Sequence, residues 1–237
     1  LQGKASHAFT DHQRIRKRPP AVKKSLSDIR NNYQKEVLLK ETLDRWPLVQ
    51  LQRWLDEAVH AEAPEPTAMS IATVDAAGQP AQRIVLLKEI TEKGIVFFTN
   101  YQSRKGKQIE LNPRGAANFF WAVLERQVRL EGIIKKISEQ ESDEYFASRP
   151  RESQIGAWTS PQSEEIKDRD YLERRYQKLE QEFEGKTVPR PPHWGGYILV
   201  PHWIEFWQGR PGRLHDRFVY RPSDENQVKW EIHQLAP

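Results

Sequence analysis

The first regular pattern along the chain is helical. In "DRWPLVQLQRWLDEAVHAEA", Leu51, Trp54, Leu55, Ala58 and Val59 recur at intervals that predict one apolar helix face. Asp44 is placed to cap that helix, and Pro47 suits its first turn. "APEPT" then breaks the pattern. From Thr67 short β-rich runs take over, "TAMSIATVD", "AQRIVLLKEI" and "GIVFFTN", separated by the turn segments "AAGQP" and "TEKG". No long helix lies between them to make a parallel crossover, so they predict an antiparallel meander. A short helix is expected in "SRKGKQIELNP", followed by strands in "AANFFWAVL" and "QVRLEGIIKKI".

Helical patterning returns in "SEQESDEYFASRP", where Ser138 answered by Glu141 forms a capping box and Pro150 ends the element. A longer helix is predicted in "SEEIKDRDYLERRYQKLEQEFEG", closed by Gly185, and strands in "GGYILVPHWIEFWQG", "RLHDRFVY" and "VKWEI". Together these predict a mainly β fold with peripheral helices, built as an antiparallel barrel. No repeat, low-complexity tract or long linker divides it, so residues 26–237 read as a single domain. Residues 1–25 read as a disordered basic tail, in which Lys4, Arg14, Arg16, Lys17, Arg18, Lys23 and Lys24 face only Asp11.

Composition narrows the function. The 237 residues are 37% hydrophobic, enough for a real core, and no run reaches the ~18 apolar residues of a membrane helix. With no cysteine, disulfides, thiolate metal sites and a cysteine nucleophile are excluded. The seven histidines are scattered without metal-ligand spacing, so no metal site is expected. A cytoplasmic location is the expectation, although the acid-poor start also has the character of an organellar transit peptide. The net charge of +4 could serve nucleic acid. However, the cations beyond the tail sit at defined positions in separate motifs, so neither a nucleic-acid nor a membrane partner is expected.

Neither familiar glycine-rich phosphate loop occurs, so any phosphate must be held by side chains. In "QRIVLLK", Arg83 and Lys88 are five apart and point to opposite faces unless the strand ends or bulges between them, which suggests separate ligands. Arg104 and Lys105, after Thr99 and Ser103, stand where a strand yields to a helix start, a favourable place for a dianion. Tyr145 and Arg149, four apart on a helix, can reach one phosphate, with Ser153, Gln162 and Ser163 following. A surface pair of Arg149 with Glu152 is the other reading. Trp207 can wall a flat ring or fill the core. "RLHDRFVY" sets His215 between Arg213 and Arg217, which should disfavour its protonation, while Asp216 opposes that. Two anion-binding sets, aromatic walls and no nucleophile suit a phosphorylated cofactor held beside a phosphorylated substrate.

The motifs "QRIVLLK", "FFTNYQSRKGKQIELNP", "LERQV", "YFASRPRESQIGAW", "WGGY", "IEFWQG", "RLHDRF" and the ending "QLAP" resemble the pyridoxine/pyridoxamine 5'-phosphate oxidase family from about Asp28 to Pro237. That resemblance implies an FMN-binding split β-barrel, a homodimer with FMN at the subunit interface. It implies oxidation of pyridoxine 5'-phosphate or pyridoxamine 5'-phosphate to pyridoxal 5'-phosphate, by hydride transfer from substrate C4' to flavin N5, with dioxygen reduced to hydrogen peroxide. By the same resemblance the FMN contacts would be the run Arg83, Ile84, Val85, Leu86, Leu87 and Lys88, then Phe98, Thr99, Arg104, Lys105, Gln127, Gln162, Ser163, Trp207 and Arg217. The substrate would meet Lys88, Tyr145, Arg149, Ser153, Arg213, Leu214, His215, Arg30 and Tyr33. Arg213 and His215 would be catalytic, the first over the substrate ring and the second as a proton handler. "DIRNNY" matches a segment that closes over the substrate, although Asn31 and Asn32 stand where charged residues are common. His202 and Trp203 are unusually bulky and are expected to pack. The rival within the fold is an FMN-binding barrel without oxidase activity, against which Arg213 and His215 count.

Overall fold

In the computed structural model, residues 32–223 and 229–237 are described; the 1–25 tail, Arg30 and Asn31 lie outside them. Alternation of inward apolar and outward polar residues builds β1 (Ala68–Val74), β5 (Arg114–Trp121) and β6 (Arg126–Lys136), while β2 (Pro80–Leu86) alternates with Arg83 on its inner side and Ile84 and Leu86 exposed. Met69 and Ile71, Ala117 and Phe119, Val128 and Leu130 point into one core. The short β3 (Glu89–Ile90) and β4 (Ile95–Asn100) precede them or lie between, and β7 (Trp194–Gln208), β8 (Asp216–Pro222) and β9 (Trp230–Gln234) complete the sheet.

Every pairing is antiparallel, but the order β2-β1-β5-β6-β7-β4-β3 is not the expected meander. The sheet curls into a half-barrel, and beyond β2 the amide of Lys88 reaches Val96 O on β4 at 2.9 Å. The long β7 carries β4 along its first half and β8 along its second, with β6 on the other side from Tyr197 onward.

β7 changes face midway. Gly132 on β6 pairs with Pro201 and Glu131 with Trp203, so His202 is an extra, unpaired residue. The parity of inward side chains shifts accordingly, from Tyr197 and Leu199 to Ile204 and Phe206, all fully buried. Without the bulge one half of the strand would turn its apolar face outward. Gly132 permits it, since a Cβ there would lie 2.1 Å from Val200 O. His202 is exposed rather than packed, while Trp203 is half-buried beneath the Arg129 guanidinium, 5.0 Å from its ring centre.

α1 (Pro47–His60) lays Leu51, Trp54, Leu55 and Ala58 on the barrel, Trp54 meeting Phe206 edge-on at 5.1 Å. Val59 is exposed, and Asp44 is not the cap: its carboxylate accepts from Trp46 N two residues on, at 2.8 Å. α2 (Arg104–Leu111) is capped by Ser103, and α3 (Glu139–Ser148) by the expected Ser138–Glu141 box. α4 (Arg151–Thr159) was not expected: it starts straight after Pro150. α5 (Arg169–Glu182) begins later than expected, with Asp168 accepting from Tyr171 N. Helices α3 to α5 gather a second apolar cluster around Phe146, Ile155, Val188 and Trp194. Among the described residues no helix is long and apolar enough to cross a membrane.

Candidate functional site

A cleft of about 490 Å³ opens where the end of β2, β4, the end of α3 and α4 converge. Its walls contain Ile84, Val85, Leu86, Lys88, Phe98, Thr99, Lys105, Tyr145, Arg149, Ser153 and Gln162 of the expected set, together with Trp194. Lys88 keeps the outward parity of Ile84 and Leu86 and lines the cleft with them, whereas Arg83, on the opposite face, turns to Thr73 Oγ1 at 2.6 Å, Ile71 O and Gln108 Oε1. Leu87 belongs to the barrel core, and Ser163 lies exposed in a turn with φ 73° outside the cleft walls.

The cationic end of the cleft is built by Lys105. Its buried ammonium donates to Thr99 Oγ1 at 2.9 Å and Gln162 Oε1 at 2.7 Å, neutral partners only. Burial, reinforced by the charge of Arg83, lowers its pKa to about 8. Arg83 is lowered as well, first by burial and then by Arg104. Arg83 thus stands between two other cations, Arg104 and Lys105, and among the described residues no carboxylate pairs with any of the three. A corner of this kind can accept an anion.

The second donor set is aromatic-backed. Phe98 stacks on Tyr145 at 3.8 Å and on Trp194 at 5.4 Å, and the Arg149 guanidinium lies 4.5 Å from the Trp194 ring centre. Arg149 is the extended residue that ends α3, so it does not share a helix face with Tyr145; the two converge because the chain turns at Pro150. It makes no pair with Glu152. Burial lowers its pKa, and its buried Nη1 has no hydrogen-bond partner. That orphan donor marks where an acceptor belongs.

The remaining expected residues form a separate group. Gln127, Trp207 and Arg217 stand side by side across β6, β7 and β8. The bulge puts Trp207 on the outer face of the sheet, where His215 packs at 4.7 Å and Tyr33 at 5.6 Å. Gly209 makes room for Tyr33: a Cβ there would sit 2.7 Å from its ring. Arg217 is held fork-to-fork by the fully buried Glu205, at 2.8 and 3.2 Å, which raises its pKa. Arg213 and Leu214 are exposed on the loop before β8, Arg213 with a left-handed φ of 63°. None of these residues lines the cleft. Trp194 and Trp207 are thirteen residues apart on one strand, roughly 40 Å of strand path. Sequence reading missed Glu205, Trp194 and the Thr73–Gln108 pair behind Arg83. Only Glu205 gave a signal, as a lone charge between Ile204 and Phe206 in an apolar run.

Among known proteins, a family model described as pyridoxamine 5'-phosphate oxidase matches residues 55–183, and one described as a pyridoxine 5'-phosphate oxidase C-terminal dimerisation region matches residues 194–237. A pyridoxine/pyridoxamine 5'-phosphate oxidase of Acaryochloris marina is 52% identical over 90% of this chain and 96% of its own. One of Bordetella pertussis is 54% identical over 90% of this chain and 100% of its own. Among solved structures, PhzG of Burkholderia lata, in complex with tetrahydrophenazine-1-carboxylic acid, superposes with a TM-score of 0.79 at 31% identity, covering 86% of this chain and 99% of its own. An FMN-binding protein of Nostoc punctiforme shares the fold, with a TM-score of 0.64 at 18% identity over 83% of this chain and 100% of its own.

Proposed function

The chain belongs to the pyridoxamine 5'-phosphate oxidase family, and from that premise we propose that it is an FMN-dependent oxidase converting pyridoxine 5'-phosphate or pyridoxamine 5'-phosphate to pyridoxal 5'-phosphate. Residues 26–237 would act as the single oxidase domain and work as a homodimer, FMN lying between the two copies. The observation that carries this reading is the three unneutralised cations Lys88, Lys105 and Arg149 lining one aromatic-walled cleft, with Arg83 and Arg104 close enough to Lys105 to form a second cationic set behind it. Two phosphate esters fit two such sets, one on a cofactor and one on a substrate.

Arg83, Arg104 and Lys105, with the Thr99 hydroxyl and the start of α2, would hold the FMN phosphate. Lys88, Tyr145, Arg149 and Ser153 would hold that of the substrate, where the orphan Nη1 of Arg149 gains its acceptor. When bound, FMN supplies a two-electron acceptor for hydride from substrate C4' and a route for those electrons to dioxygen, giving hydrogen peroxide.

Gln127, Trp207 and Arg217 also suit a flavin, yet they stand far along β7 from the cleft of their own chain. A second copy would bring them to it, and the matched dimerisation region, residues 194–237, includes Trp207, Arg213, His215 and Arg217. Arg213 would then cover the substrate ring and stabilise its phenolate oxygen, while Tyr33 closes the rim. Flavin-loaded protein given either B6 phosphate should form pyridoxal 5'-phosphate and peroxide in equal amounts. Flavin-loaded protein that forms no peroxide would be a binding member of the fold only.

A further inference from the structure

His215 is held in a way that fixes its proton. The backbone N–H of Arg210 donates to His215 Nδ1 at 3.1 Å. An amide nitrogen can only donate, so Nδ1 must present its lone pair, and the single proton of the neutral ring then sits on Nε2. An imidazolium would set its Nδ1–H against the Arg210 N–H. Burial, Arg213 and Arg217 also disfavour the charged ring, with Asp216 alone opposing; Tyr33 and Trp207 add no charge on the other sides.

Arg210 is itself immobilised. Its guanidinium lies 3.4 Å from Asp216 Oδ2 and donates to Glu36 O at 3.0 Å, and the same carboxylate oxygen accepts from Leu38 N at 3.0 Å. Between Arg210 and His215 the chain doubles back through Gly212 and Arg213, both left-handed, which brings the ring onto the amide five residues earlier.

We propose that Arg210 is a positioning residue that locks His215 as an Nε2–H tautomer, so that His215 gives a hydrogen bond to an oxygen or nitrogen acceptor on the bound B6 phosphate and does not act as a base. The proposal rests on the oxidase reading for its ligand and replaces the proton-handling role that the sequence implied for this residue.

The test uses the full-length, FMN-loaded protein labelled with ¹⁵N in histidine, the His215 signals being assigned by their loss in His215→Gln. Long-range ¹H–¹⁵N spectra at neutral pH should show a protonated Nε2 and an unprotonated Nδ1. An Nδ1–H tautomer, an averaged pair or an imidazolium overturns the proposal. In turnover with pyridoxine 5'-phosphate, glutamine keeps an N–H near the Nε2 position, so His215→Gln should lose about ten-fold in kcat/KM and His215→Ala about ten-fold more. Equal losses in the two variants would show that no hydrogen bond is given from the Nε2 position and refute the proposal. The spectrum reads the ring whether or not the protein turns over, so a missing oxidase activity and a wrong tautomer are separate results.

Discussion

Lys105 should take up a proton when FMN binds. In the free protein its pKa falls from 10.5 to about 8 because the ammonium is buried and faces Arg83, a penalty of at most roughly 3 kcal/mol against the charged form. A phosphate dianion in that corner reverses both causes. At pH about 8.5 only about a quarter of the free protein carries the charge, and restoring an ordinary pKa brings in about 0.7 proton per FMN. The phosphate does not obscure the count, since its second ionisation, near pKa ~6, is complete at that pH. Because the bound pKa lies above the free one, affinity must weaken as pH rises above about 8. Calorimetric titration of FMN into the flavin-free protein, in two buffers of unlike ionisation enthalpy, yields the proton number. Identical enthalpies in both buffers, or the same uptake in Lys105→Met, would refute the assignment of this lysine to the phosphate.

Arg213→Ala should retain FMN by absorbance yet lose about a hundred-fold or more in kcat/KM, since its contact matters at the reacting centre; unchanged turnover would remove it from that role. Lys88→Ala should raise KM for the B6 phosphates about ten-fold in steady-state assays through lost phosphate attraction. Gly132→Ala drives a Cβ to 2.1 Å from Val200 O, so urea unfolding should show a loss of about 2 kcal/mol or more as the bulge is displaced. Arg217→Met leaves the Glu205 carboxylate, 1% exposed, without its fork partner and with only Arg129 Nη1 near it, at 3.7 Å, and should cost about 2 kcal/mol in the flavin-free protein by the same measurement.

Local signals were the readable part of this chain. The face of α1, the capping box at Ser138 and the strand alternation each arise from neighbours in sequence, and each is found in the fold. Pro150 shows where local rules divide: a proline that ends one helix also suits the start of the next, so α4 went unseen. Strand order was illegible because β1 pairs with β5, and β4 with β7, across long stretches of chain. Hydrophobic alternation does not name its partner. The candidate site followed the same division. The strand-to-helix corner at Arg104 and Lys105 is legible in its own segment, whereas Tyr145 and Arg149 meet in the cleft through the chain turn at Pro150 and not through the helix face that their spacing implies. That Trp207 and Arg217 face away from the cleft depends on the His202 bulge. The Arg210–His215 contact depends on a left-handed turn at a non-glycine residue, which composition does not signal.

Whether the two residue groups make one site between copies can be measured by subunit complementation. Lys105→Glu damages the cleft group and Arg213→Ala the outer group, so each homodimer should be nearly inactive. Unfolded together and refolded with FMN, the mixture should regain about a quarter of wild-type oxidase activity, because half of the dimers then carry one undamaged site. A mixture no more active than its two components would show that each chain builds its site alone, contrary to the arrangement proposed.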